Sequence, residues 1–272
     1  MEKDYNLRPL WDAILDIYKA YAEVCDRNGL RYYATGGTAL GAMRHGGFIP
    51  WDDDFDLVMP RPDYIKFMEI CHKELPTHYE AIDFRHDSSY PYCFGKVRDN
   101  RKKIIEEVSE ASNLNLDQGI YIDVIPIDGM PKAEIPFKFW ILGRMAWRHY
   151  PLLETEPMYK RFFWWMIGKF INIPNDPQKQ RIAFEKWLSK WNFDKSPAVD
   201  DYNTNARRLK HRVLSASSFM PARYVKFENI EIPVPNKVED FLTEIYRDWQ
   251  TLPPEDKQVP SHQRKSDYIF NL

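Results

Sequence analysis

The chain has 272 residues, a formal net charge of −2, and is 44% hydrophobic and 29% charged. That suffices for one large domain or one domain with a helical appendage, and the near-neutral balance excludes a general nucleic-acid surface. No apolar run reads as a signal peptide or a membrane span, and Cys25, Cys71 and Cys93 lack CxxC spacing, so they read as reduced structural thiols of an intracellular protein.

Leu10, Ile14, Ile17, Tyr18, Tyr21 and Val24 recur at helical spacing and predict a helix over 8–28, closed by Asn28-Gly29. A short strand follows near 30–34, then a Gly36-Gly37-Thr38 turn and a helical turn or two over 39–44. A buried strand is expected at 55–59 and a helix over 63–75 stopped by Pro76. Further strands are expected near 80–84, 92–98, 101–107 and 120–125, giving an α/β fold with a mixed sheet and flanking helices. From Pro131 the pattern turns helical, broken by prolines at 136, 151, 157 and 174, with an amphipathic helix over 178–192. Residues 225–234 read as an extended pair around Glu228-Asn229, and 238–249 as a final helix. The expected division is a catalytic core over 1–130, a mostly helical region over 131–224, and a strand–helix segment over 225–272 that packs back on the core.

The chemistry concentrates in Asp52, Asp53, Asp54 and Asp56. Like charges at that density repel unless a cation sits among them, and hard ions such as Mg²⁺ take carboxylate oxygens and share substrate phosphates. Side chains alternate along a strand, so Asp54 and Asp56 point to one face. Asp123 interrupts the apolar run Tyr121-Ile122-Asp123-Val124-Ile125 and needs a partner, which a metal shared with Asp54 and Asp56 supplies; the alternative is a core Asp held by backbone N–H groups or an Arg. Asp128 reads as a turn or cap residue, and Asp52 and Asp53 either reach a metal through water or orient the loop. The Gly36-Gly37 turn lets the backbone approach a ligand, and Thr38 either caps the following helix or bonds a phosphate at its N-terminus. The expected reading is a metal-dependent enzyme acting on a phosphate-containing substrate.

Arg44, His45, Lys96 and Arg98 are candidate phosphate contacts; Lys96 and Arg98 share a strand face, and His45 reads equally as loop packing. Trp51, Tyr90 and Tyr92 either stack on a base or enclose a trimethylammonium, or simply pack. The segment from Phe137 to Ile173 interleaves aromatics with Arg144, Arg148, Lys160, Arg161 and Lys169. It reads either as a membrane-interface element or as a helical hairpin packed on the sheet.

The strand, Gly-Gly turn, helix and acidic strand resemble the nucleotidyltransferase fold. The wording GGTALGAMRHGGFIPWDDDFDLVMPRPDY resembles the LicD family of phosphocholine transferases and fukutin-type enzymes. The resemblance extends to 90–99, to Gly119–Gly129 with its second acidic strand, and to the closing segment around Phe227-Glu228, Phe241-Leu242 and Ile245-Tyr246. Where the family usually has Gly after that Tyr, this chain has Arg247, which leaves the turn geometry there open. The resemblance implies metal and catalytic residues Asp54, Asp56 and Asp123 with two Mg²⁺ or Mn²⁺ ions, and donor contacts from Gly36, Gly37, Thr38, Arg44, His45, Lys96 and Arg98. It implies phosphocholine transfer from CDP-choline to a hydroxyl of a glycan, teichoic-acid or lipopolysaccharide precursor, releasing CMP in the cytoplasm or at the inner membrane face. The alternatives are ribitol phosphate or another phospho-polyol or phospho-sugar as the transferred group, or a noncatalytic nucleotide-binding module.

Overall fold

The computed structural model describes residues 7–88, 90–103, 119–131, 135–148, 157–201 and 214–260. The first helix, α1 (Arg8–Asn28), buries every residue of the predicted apolar stripe and ends at Gly29, whose φ of 61° suits a left-handed C-cap. Its stripe packs against the central strands and against α3 (Arg61–Glu74).

The sheet runs β1 (Tyr33–Ala34), β2 (Asp56–Pro60), β5 (Gly119–Met130), β4 (Gly95–Lys103), β3 (Tyr79–Ile82) in spatial order. The β2–β5 pair is parallel and the others are antiparallel, so the sheet is mixed, with helices packed on it. The chain is therefore α/β, as its alternating periods predict. A strand absent from the sequence expectations, β6 (Ala198–Asp200), pairs with the end of β5. It is three residues long, too short for a period-2 signal to register.

Several expectations are corrected. The separate strands near 92–98 and 101–107 are one strand, β4, with residues 104–107 outside the described ones. The turn at Gly36 is already helical, because α2 spans Gly36–Arg44. The strand near 120–125 continues to Met130, so Asp128 is no turn or cap: it lies fully buried in β5. The expected helix over 178–192 stops four residues early; it is α6 (Pro177–Leu188), preceded by α4 (Phe137–Arg148) and α5 (Met158–Phe170). The hairpin β7 (Arg223–Phe227) and β8 (Ile230–Val234) turns at Glu228-Asn229 as expected, and α7 (Val238–Tyr246) follows.

The main core joins α1, the sheet, α3, the β7–β8 hairpin and α7, and takes Phe193, Val199 and Phe219 from the largely helical second half. A second core forms between α4 and α6 and reaches the sheet through Met130 and Ala198. All three cysteines are buried and free, with burial pushing Cys71 up to about 11 and Cys93 up to about 12. Among the described residues no helix is long and apolar enough to cross a membrane.

Arg247 closes α7 at φ 63° and ψ −98°, a backbone region costly for any residue with a Cβ. Arg247→Gly is expected to raise stability by roughly 1 kcal/mol, the strain relieved less the extra freedom of glycine in the unfolded chain. The urea midpoint should rise with an unchanged slope; a lower midpoint would show that the position carries no strain.

Candidate active site

Three strands bring the acids together. In register across the sheet, Lys96 on β4 faces Asp123 on β5, and Asp123 faces Asp56 on β2. Register partners on adjacent strands point to the same face, so the three side chains form a lateral row. Lys96 Nζ stands 3.0 Å from Asp123 Oδ1 and 3.1 Å from the centre of the Tyr121 ring. The backbone locks the row: Asp123 N–H donates to Phe55 O at 2.9 Å, and Thr35 N–H donates to Asp56 O at 3.1 Å.

The start of α2 lies against this row. Thr38 Oγ1 accepts from Asp56 N–H at 2.8 Å, and Thr38 does not cap α2: the N-cap position belongs to Thr35, whose side chain makes no capping bond. Gly36 sits at φ 53°, and a Cβ there would stand 3.0 Å from Asp56 Oδ2; a Cβ on Gly37 would collide with the Asp52 carboxylate. These glycines let a helix N-terminus, with its partial positive charge, approach the acids closely. Gly36→Ala is expected to cost about 1–2 kcal/mol from the positive φ alone. It should depress activity out of proportion to that loss by displacing Asp56, and thermal melting alongside an assay at a temperature where both proteins are folded would check it. Full activity would show that the close approach is dispensable.

The acids raise one another's energy. Burial, then Asp54, Asp123 and Asp52, hold the Asp56 carboxyl well above the usual range, and Lys96 pulls against them. All of these carboxylates remain partly exposed, so the row opens to solvent on one side. Carboxylate oxygens alone make a donor set suited to a hard divalent ion. Among the described residues no three acidic, imidazole or thiol groups already form a metal cage. Lys96 brings a positive charge to the row.

The other predicted residues divide. Arg98 pairs with Glu80 at 2.8 Å, while Lys96 meets Asp123 at 3.0 Å. Arg44 donates to the Trp249 and Thr251 carbonyls at 2.9 and 3.4 Å, fastening the chain after α7 onto α2. His45 is exposed and edge-on to Trp51 at 6.4 Å. Tyr90 and Tyr92 pack together at 5.4 Å, and Lys96 lies 4.9 Å from the Tyr92 ring.

Sequence reasoning missed the residues that hold the acidic loop. Trp11 donates its indole N–H to Asp52 O at 2.8 Å and stacks on Phe48 at 5.0 Å. Glu228, at the hairpin turn, accepts from Phe48 N–H at 3.2 Å, and its own N–H donates to Gly46 O at 2.8 Å. Arg8 completes the clamp at 2.8 Å from Glu228. The partners are 180 and 220 residues apart, and nothing local marks them.

A family model described as LicD/FKTN/FKRP, nucleotidyltransferase domain, matches residues 29–176, which include Gly36, Asp56, Lys96 and Asp123. The lipopolysaccharide cholinephosphotransferase LicD of Haemophilus influenzae is 27% identical over 282 aligned residues, covering 96% of this chain and 97% of that protein. The ribitol 5-phosphate transferase FKRP of Homo sapiens is 56% identical over 34 residues, 12% of this chain and 7% of that protein. An uncharacterized protein of Rickettsia typhi is 34% identical over 83 residues, 30% of this chain and 25% of that protein.

Proposed function

From the premise that the chain belongs to the LicD family, we propose that it transfers a phospho-alcohol group, phosphocholine from CDP-choline, to the hydroxyl of a glycan, teichoic-acid or lipopolysaccharide precursor. The observation that carries this reading is the row of Lys96, Asp123 and Asp56 beside the N-terminus of α2. It sets a cation, two carboxylates and a helix dipole around one solvent-open face, the parts that phosphoryl transfer requires for positioning and charge balance.

Asp54, Asp56 and Asp123 would hold Mg²⁺ or Mn²⁺, two ions in the full reading. When bound, these ions supply charge neutralisation at the donor diphosphate. Asp123 takes the proton of the acceptor hydroxyl. The acceptor oxygen bonds to the phosphorus that carries choline, and the bond from that phosphorus to the bridging oxygen breaks. CMP leaves with the electron pair. Lys96 and the first-turn N–H groups of α2 stabilise the charge on the phosphates. The fold supporting this is of the nucleotidyltransferase kind, and a CDP donor places the reaction in the cytosol.

A second reading, ribitol phosphate or another phospho-polyol as the transferred group, is favoured by the short, highly identical match to FKRP. A noncatalytic module accounts poorly for carboxylates kept together at an energetic cost. Calorimetric titration of CDP-choline, CDP-ribitol, CDP-glycerol and CMP, each with and without Mg²⁺, separates these. Metal-dependent binding of CDP-choline above the other three is the expected result. Preference for a polyol donor moves the reading to the second group, and no metal-dependent binding of any nucleotide overturns it.

A further inference from the structure

We propose that α5 is an interfacial helix that docks the protein on an anionic lipid surface. The helix reads MYKRFFWWMIGKF, and only Gly168 is buried. Met158 is 83%, Phe162 60% and Phe170 91% exposed, while the equally apolar faces of soluble helices are covered.

The exposed groups are not scattered. At about 100° per residue, Met158, Tyr159, Phe162, Phe163, Met166 and Phe170 fall within an arc of about 140°. Trp164, Ile167 and Gly168 lie on the opposite side, where Gly168 meets Met145 of α4 and Trp164 and Ile167 pack on the second core. Lys160 and Arg161 are exposed and lie about 60° beyond the arc, one on each side, and Lys169 lies within it with its ammonium 5.3 Å from the Trp165 ring. A helix lying in a bilayer interface has this layout: apolar groups point into the acyl boundary and flanking bases reach the headgroups.

Charge decides the occupant. Neither α4 nor α5 contains an acidic residue, and together they carry Lys138, Arg144, Arg148, Lys160, Arg161 and Lys169. A second copy packed on this face about a two-fold axis would oppose these cations with the same cations. Anionic headgroups complement them. The consequence is a protein that works at a lipid surface.

Sedimentation with phosphatidylcholine vesicles, with and without phosphatidylglycerol, tests this. The full chain should bind the mixed vesicles at low salt, bind pure phosphatidylcholine weakly, and release several-fold as salt rises. Phe162→Ser with Phe170→Ser should weaken partitioning by roughly tenfold or more. Lys160→Glu with Arg161→Glu should remove the preference for phosphatidylglycerol. All four positions are solvent-exposed, so melting temperature and nucleotide binding should stay at the wild-type values. No binding by the wild type at low salt overturns the proposal. So does binding that the substitutions leave unchanged, or self-association in sedimentation velocity that the serine variant abolishes without any vesicle binding.

Discussion

Asp56→Asn is expected to lower transfer by at least about a thousandfold, about 4 kcal/mol of transition-state stabilisation, without unfolding the protein. The side chain is nearly isosteric, and the bond from Asp56 N–H to Thr38 is made by the backbone and survives. Burial and three neighbouring acids hold the Asp56 carboxyl well above its usual value, so its charge costs stability at neutral pH in metal-free buffer. Because the folded value is the raised one, the stabilising contribution of its proton is complete below about 3.8 and is lost as pH rises through the raised value. The Asn variant therefore melts at or above wild type near neutral pH without metal, and the gap narrows on acidification. A divalent ion should stabilise the wild type by about 2.7 kcal/mol at a hundredfold excess over its Kd, and the variant far less. Retained activity would remove Asp56 from the chemistry. Collapse of the metal-free variant would mark the residue as structural.

The second large effect lies on the same strand as Asp123 but concerns folding. Asp128→Ala is expected to cost about 3–5 kcal/mol, a fall in Tm on the order of 10 °C. Arg61, at the first position of α3, makes two bonds to Asp128 at 2.8 and 2.6 Å, and both side chains are almost wholly shielded from water. Glu185 on α6 takes the remaining reach of Arg61 at 3.1 Å and also meets Arg85 at 3.4 Å. The network thus ties β5, α3, α6 and the loop after β3 together. Removing Asp128 leaves the Arg61 charge buried with one partner instead of two. The double variant Arg61→Met, Asp128→Leu should recover most of the loss, since it leaves neither charge behind. A loss of less than about 1 kcal/mol in the single variant would show that water reaches the pair.

The helices and the acidic strand are legible because their signals are local. Apolar residues at a 3.6-residue period place α1 and α3 within a few residues, and a hydrophobic run after Asp56 places β2. The Gly36-Gly37 pair is legible as a point where backbone and ligand approach, although the atoms it approaches here are the carboxylates of Asp56 and Asp52. The capping alternative for Thr38 fails because α2 begins two residues earlier, at Gly36; only the position of Asp56 N–H shows what its hydroxyl accepts from. The shared face of Lys96 and Arg98 is readable from strand parity, while the neighbouring strand that supplies Glu80 to Arg98 is not.

The sequence alone therefore determined the element types, the acidic cluster and the family resemblance, because these rest on spacing of two to four residues and on short contiguous runs. The tertiary structure decided the rest. Sheet register set Lys96, Asp123 and Asp56 in one row, packing buried Asp128 against an arginine 67 residues away, and the same packing left the apolar arc of α5 uncovered. Register and burial are properties of which distant segments meet, and the energies that choose those meetings are sums over contacts that no short window of residues contains.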